Sequence, residues 1–270
     1  MSWLRSFFRF REHANPDGTK PFLDHLEDLR LMIIKVAVTT IGGMFFAFSI
    51  RTHLVQLMQK PLRDIDPDLV QNLQIFGPFD SIIISFKLAF YAGIVITFPV
   101  LLFFLAQFIL PALTMKEKKL VFPSIGVGFF LFALGVCFSY FYVIPTTLEF
   151  CFKDAASLDW TLRPTASHYF SFVTNMTLAL GLAFELPVVV MLLNFIGVLP
   201  HALMVKTRIF AWPALLTLAA IIAPSPDPMT MLALGAPLVI LYEICIVLAW
   251  ILDLRKRKKN LLPAPPDAGP

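Results

Sequence analysis

Charge is what this chain has least of. Asp, Glu, Lys and Arg make up 15% of its 270 residues, where soluble domains carry about 25%. Hydrophobic residues reach 58% and the mean hydropathy is +0.77, which points to an integral membrane protein rather than a soluble core. The length accommodates roughly five to seven spans of about 20 apolar residues with short loops. Cysteine is also scarce. Cys137, Cys151 and Cys245 are too far apart for a metal site or a redox pair, and an odd number leaves at least one unpaired. Cys137 and Cys245 sit in apolar runs and read as small hydrophobes. No nucleotide-binding loop, metal-ligand cluster or hydrolytic triad is visible, and His25, His53, His168 and His201 are spread along the chain. No catalytic residue, cofactor, metal or nucleic-acid partner is therefore expected, and the chain does not read as an enzyme. The apolar runs are long and do not alternate, which excludes a β-barrel. No internal repeat is visible, which counts against a secondary transporter. The start, MSWLRSFFRFREH, lacks the continuous apolar region of a cleavable signal peptide.

Six apolar segments are present, near 31–50, 85–110, 120–145, 168–195, 208–223 and 231–252. If the N-terminus faces the cytoplasm, that side holds 16 of the 22 basic residues, from Arg5 to the RKRKK stretch at 255–259. The positive-inside rule favours this orientation, with both termini cytoplasmic. Residues 1–20 are basic and aromatic, with Trp3, Phe7 and Phe10 on one helical face. They suit either a segment lying on an anionic membrane surface or a disordered basic tail. Residues 21–252 form the membrane domain, and 253–270 a basic and then Pro-rich tail. The first outer loop, 51–84, is long enough to predict a cap of short helices. Every span after the first contains proline. Pro99, Pro187 and Pro213 are internal and should bend their helices into a curved bundle. Fifteen residues separate Arg208 from Pro224, about 22 Å of helix. That predicts a fifth span too short to cross an undistorted bilayer upright.

Few polar groups remain to carry function. In PFLDHLEDLR, 21–30, Asp24 and Asp28 are four residues apart and share a helical face. They suit a bound cation, a guanidinium above all. Equally, early acids stabilise the positive end of a helix that begins at Pro21. Glu117 is the one acid among three lysines in LPALTMKEKKL, 110–120, where a local ion pair is an equal explanation. Glu185 in GLAFELPVVVMLL is an acid within an apolar run. It must either stay neutral or face water or a polar partner, so a proton relay, a partner site and a structural hydrogen bond all fit. Pro187 also frees the Ala183 carbonyl. Asp227 in PSPDPMT most simply caps the last helix, and Glu243 reads as interfacial.

In order along the chain, HLEDLR (25–30), QFILPALTMKEKKL (107–120), FELPVVV (184–190) and PSPDPMTMLALGAPLVILYE (224–243) resemble the TatC family, the multispanning core of the twin-arginine protein translocase. The resemblance covers roughly 21–252. It implies an all-α, six-span protein of the bacterial plasma (inner) membrane. Such a protein would receive twin-arginine signal peptides of folded cargo and recruit single-span TatA/TatB-type subunits. It would self-associate in a larger complex and drive export with the proton-motive force. By position it assigns signal-peptide binding to Asp28 and Glu117, with Phe108 nearby and Glu27 as an extra acid. It assigns partner or transport roles to Glu185, Pro61 and Asp227. Asp28 stands where the family has Glu, so reach to the signal could shift to Glu27 or Asp24. Ala106 replaces the usual Trp, and Met231 the usual Gln. The rival reading is a proton-coupled small-solute transporter with Glu185 as relay.

Overall fold

A computed structural model of the chain describes residues 22–110, 115–160, 163–197, 199–222 and 228–261. Among these the architecture is helical. The elements are α1 (Phe22–Ser49), α2 (Arg51–Ile65), α3 (Pro67–Gln71), α4 (Asp80–Ile109) and α5 (Met115–Phe138). A π-helical turn (Ser139–Val143) leads into α6 (Ile144–Ser157). Then come α7 (Ala166–Ala183), α8 (Leu186–Ile196), α9 (His201–Ile222) and α10 (Pro228–Leu261). Six stretches are long and apolar enough to cross a membrane: His25–Ser49, Asp80–Ile109, Pro123–Ser157, Ala166–Asn194, His201–Ile221 and Thr230–Leu254. They contain most of each of the six expected segments. The surface of the bundle carries Phe45, Phe46, Phe130, Ile209, Phe210 and many other large exposed hydrophobics. That distribution suits lipid and would aggregate in water.

Two expectations need adjustment. The fifth span is not a 15-residue helix, because α9 has 22 residues, about 33 Å of rise. Its first two turns carry Lys206 and Arg208, so the helix is long enough although its apolar part is short. The third span continues past Pro145 to Ser157, with the π-helical turn just before that proline. A proline lacks the N–H for the regular ladder, and it is tolerated in the first turn after such an irregularity.

The fourth span is the axis of the bundle. Some 44% of its apolar window is buried, against 11% for the first and fifth spans. Tyr169, Phe170, Val173, Met176 and Leu180 of α7 form the centre of the core, with Leu62, Ile84, Val143, Ile144 and Leu234 around them. The cap expected at 51–84 is present as α2 and α3. Asp66 caps α3 by accepting from the Asp68 N–H at 2.9 Å. Beyond it, the Gln74 N–H donates to Pro164 O and the Ala166 N–H to Gln74 O. This parallel bridge ties the first outer loop to the start of the fourth span.

Helix α1 packs along α4. Its half-buried or buried positions are His25, Asp28, Leu29, Met32, Val36, Thr39, Thr40, Gly43, Met44, Ala47 and Phe48, a stripe at three- and four-residue spacing. The closest approach is at Gly43 and Gly93. A methyl group on Gly93 would lie 2.6 Å from Met44 N, and one on Gly43 would lie 2.9 Å from Gly93 O. Small residues let membrane helices touch backbone to backbone. Gly42 faces open space. Gly93→Val should therefore lower the unfolding free energy in detergent by about 2 kcal/mol. Gly42→Val should change it by less than about 0.5 kcal/mol, and thermal denaturation of the two purified variants measures the difference.

Candidate functional site

Several groups of polar residues stand out once the packing is accounted for. The first lies where α1 begins and α4 ends. The His25 ring stacks on Phe108 with centroids 4.6 Å apart and planes 15° from parallel. One turn further, Lys35 lies 5.9 Å above the Phe104 ring. Asp28 shares the α4-facing stripe with His25 and is half-buried, whereas Glu27 is exposed on another face of α1. The backbone of Glu117 is in the first turn of α5, which starts six residues after α4 ends, so it belongs to this same end of the bundle. The side chains of Asp24 and Glu117 are outside the described residues. The structure thus brings HLEDLR against Phe108, which spacing alone did not require.

The second group surrounds Glu185. The fourth span breaks there: α7 ends at Ala183, the chain turns through Phe184 and Glu185, and α8 starts at Leu186. Pro187 falls in the first turn of α8, where a missing N–H costs nothing. The expected bend is therefore a full helix restart. Glu185 occupies the position preceding α8 and makes no side-chain cap. Its carboxylate lies over Gly128 of α5. A methyl group on Gly128 would lie 2.8 Å from Glu185 Oε2 and 3.3 Å from both Oε1 and Leu102 Cδ1. Glu185 Oε1 is buried with no hydrogen-bond partner among the described residues. Gly128 was not legible as part of this site, because nothing in the sequence says which small residue faces the acid.

The third group holds the outer cap. Pro61 is inside α2 and buried, so the Leu57 carbonyl, four residues earlier, has no N–H to accept from. The Tyr140 hydroxyl, from the π-helical turn, donates to Leu57 O at 2.6 Å. Beside it, the Tyr169 hydroxyl donates to Met58 O at 2.6 Å. Two tyrosines thus pin α2 onto the third and fourth spans. Asp227 lies outside the described residues.

A fourth cluster was missed by sequence reasoning, where Glu243 read as interfacial. Glu243 Oε2 pairs with Arg208 Nη2 at 2.6 Å, and Glu243 Oε1 accepts from Trp212 Nε1 at 2.9 Å. The Arg208 guanidinium also lies 5.2 Å from the Trp212 ring centroid. Both carboxylate oxygens are used, so this cluster fastens α9 to α10. Among the described residues, no group of three or more His, Cys, Asp or Glu is placed to hold a metal.

The tyrosine pinning makes a testable claim. Tyr140→Phe should cost about 1 kcal/mol of stability. In a Pro61→Ala background, where residue 61 supplies its own N–H to Leu57, the same change should cost less. A double-mutant cycle by thermal denaturation reads that coupling.

Comparison with known proteins agrees with this architecture. Residues 24–237 match the family described as Sec-independent protein translocase protein (TatC). The chain is 45% identical over 191 residues to the Sec-independent protein translocase protein TatC of Akkermansia muciniphila, covering 71% of this chain and 55% of that relative. It therefore spans about half the length of that relative. It is 32% identical over 250 residues to the TatC of Deinococcus radiodurans, covering 92% of each. Among solved structures, the crystal structure of the twin arginine translocase receptor TatC superposes with a TM-score of 0.77 at 30% identity. That match covers 84% of this chain and 98% of the other.

Proposed function

The chain belongs to the TatC family of Sec-independent protein translocase proteins, and from that footing we propose that it is the receptor for twin-arginine signal peptides. The contact that carries the reading is the stacking of His25 on Phe108 at 4.6 Å. It joins two elements that lie over eighty residues apart and both carry acids. Asp28 and Glu117 then act as the carboxylates for two guanidinium groups, a pairing that Arg makes in bidentate form. The half-burial of Asp28, three residues from His25, against the exposure of Glu27 supports Asp28 as the nearer contact. Glu27 remains an outer acid that adds to the local negative field. Both termini are placed in the cytoplasm, where the basic residues cluster and where signal peptides of folded cargo are met. The membrane is the bacterial plasma membrane.

Glu185 serves a later step. An intramembrane carboxylate with one oxygen unpartnered is costly, and a donor on a single-span TatA/TatB-type helix would satisfy it. Pro61, held through Leu57 and Tyr140, keeps the outer cap in shape for assembly of the larger complex. Asp227 is retained as an acid of the last outer turn.

Asp28→Ala combined with Glu117→Ala should reduce crosslinking of a twin-arginine signal to the membrane by at least about tenfold, on the scale of two lost charge-assisted hydrogen bonds. Unchanged crosslinking would remove the binding assignment. Glu185→Gln should leave that crosslink intact yet lower export of a folded twin-arginine reporter in a strain lacking its own translocase core. Normal export by that variant would count against the later role.

A further inference from the structure

Lys87 is a basic residue inside the second span, and its surroundings are polar. It lies seven residues into α4, and its ammonium donates to Ser171 Oγ of α7 at 2.8 Å. One turn deeper, the Tyr91 hydroxyl donates to Asn175 Oδ1 at 2.7 Å. Residues 87 and 91 of α4 thus face 171 and 175 of α7 in a two-rung ladder, and all four are half-buried.

The ladder is unbalanced. Ser171 gives its own proton to Ser167 O at 2.6 Å, so its oxygen is spent on Lys87. Asn175 Oδ1 accepts from Tyr91, which turns the amide so that its two protons point away from that hydroxyl. What remains are two protons of the Lys87 ammonium and two of the Asn175 amide. Among the described residues these donors have no acceptor, and Lys87 forms no ion pair. A positive charge with four unmatched N–H groups, in a membrane, calls for an oxyanion.

Depth indicates which oxyanion. Helix α4 has 30 residues, about 45 Å, which matches a whole bilayer with its headgroups at about 40–45 Å. Phe79, just before its first residue, is strongly exposed, as an aromatic at a membrane interface is. Seven residues further in is about 10 Å, a few Å below the headgroup layer, from where the Lys87 stem reaches up toward the phosphates. That level suits the phosphate of a phospholipid better than a side chain near the middle of a docked helix. We propose that Lys87, Tyr91, Ser171 and Asn175 form a binding site for the phosphate of one phospholipid at the α2–α3 end of the bundle, between the second and fourth spans. Lys87 supplies the charge, Asn175 the amide protons, and Tyr91 holds the amide in its orientation. An anionic lipid, which brings no ammonium of its own, is the preferred occupant.

The test uses the full chain reconstituted in vesicles of phosphatidylcholine and phosphatidylglycerol, extracted in mild detergent and weighed by native mass spectrometry. The native chain should retain one phosphatidylglycerol. Lys87→Met should lower the retained fraction about tenfold, the scale of one charge-assisted bond, and Lys87→Arg should keep it. Asn175→Asp keeps the shape and the acceptor for Tyr91 but replaces the two amide protons with negative charge, so it should also release the lipid without unfolding the bundle. Equal retention by the native chain and Asn175→Asp would overturn the site. Loss of a co-purifying single-span helix with lipid retention unchanged would overturn it too, in favour of a protein carboxylate. Inorganic phosphate should not displace the lipid, and displacement would overturn the lipid as the source.

Discussion

A backbone carbonyl that loses its N–H partner inside a bilayer has no water to turn to, and the arrangement of this bundle follows from how it meets that requirement. The chain spends 21 prolines, and at three of them the structure shows different solutions. At Pro61, in the outer cap rather than in a span, the freed Leu57 carbonyl accepts from the hydroxyl of Tyr140 of the third span. At Pro145 a π-helical turn precedes the proline, and the rod continues to Ser157. At Pro187 the helix stops and restarts, so that the proline stands in a first turn that needs no N–H. Each solution has a structural consequence. The first pins the outer cap, the second keeps a 35-residue span continuous, and the third places Glu185 at a turn where its carboxylate can leave the helix surface.

Glu185 and Glu243 show how the same residue type is used for opposite ends. Glu243 has both oxygens occupied, by Arg208 and Trp212. Interhelical hydrogen bonds in membranes contribute on average about 0.6 kcal/mol each, so this cluster modestly stabilises the α9–α10 pair. Glu185 has an oxygen with no partner among the described residues, and leaving a buried polar group unmatched costs about 1–3 kcal/mol. A group kept at a cost that a Gln or Leu would avoid is better explained by something that docks there than by the fold itself. The same comparison separates Lys87 from Arg208: one cation is neutralised by a carboxylate, the other is held only by a hydroxyl.

Fold and site were legible to different extents. The six spans, the cap of short helices and a bend near Pro187 followed from hydropathy and proline, whereas the full restart of the helix there did not. Span ends were off where charged residues continue a helix, as Lys206 and Arg208 do in α9, because hydropathy measures what lipid accepts and not where hydrogen bonding stops. Asp28, Phe108 and Glu117 were reached through family resemblance, since i, i+4 spacing says nothing about a ring eighty residues away. The Tyr140–Leu57 and Arg208–Glu243 contacts were not legible at all. A tyrosine or a glutamate near a span end reads as interfacial until the partner helix is placed against it. Lys87 was counted with the loop charges for the same reason.

Helix α4 shows why periodicity fails most in this solvent. It is apolar nearly all round, which in a soluble protein would mean complete burial. In lipid every apolar face is at home, so hydrophobicity does not mark the packed side. Its buried side mixes large and small residues, Ile84, Leu88 and Phe98 with Ala89, Gly93 and Ala106, while Phe86, Phe90 and Leu105 are exposed. The small residues admit α1 at Gly43. Pro99 directly follows Phe98, whose ring stacks on Phe132 with centroids 3.5 Å apart where α4 meets α5. One helix thereby carries Lys87 near one face of the membrane, Leu102 beside Glu185, and Phe108 against His25. Packing that fixes α4 therefore fixes all three sites relative to one another, and the two glycines at its crossing with α1 constrain function as much as any of the acids.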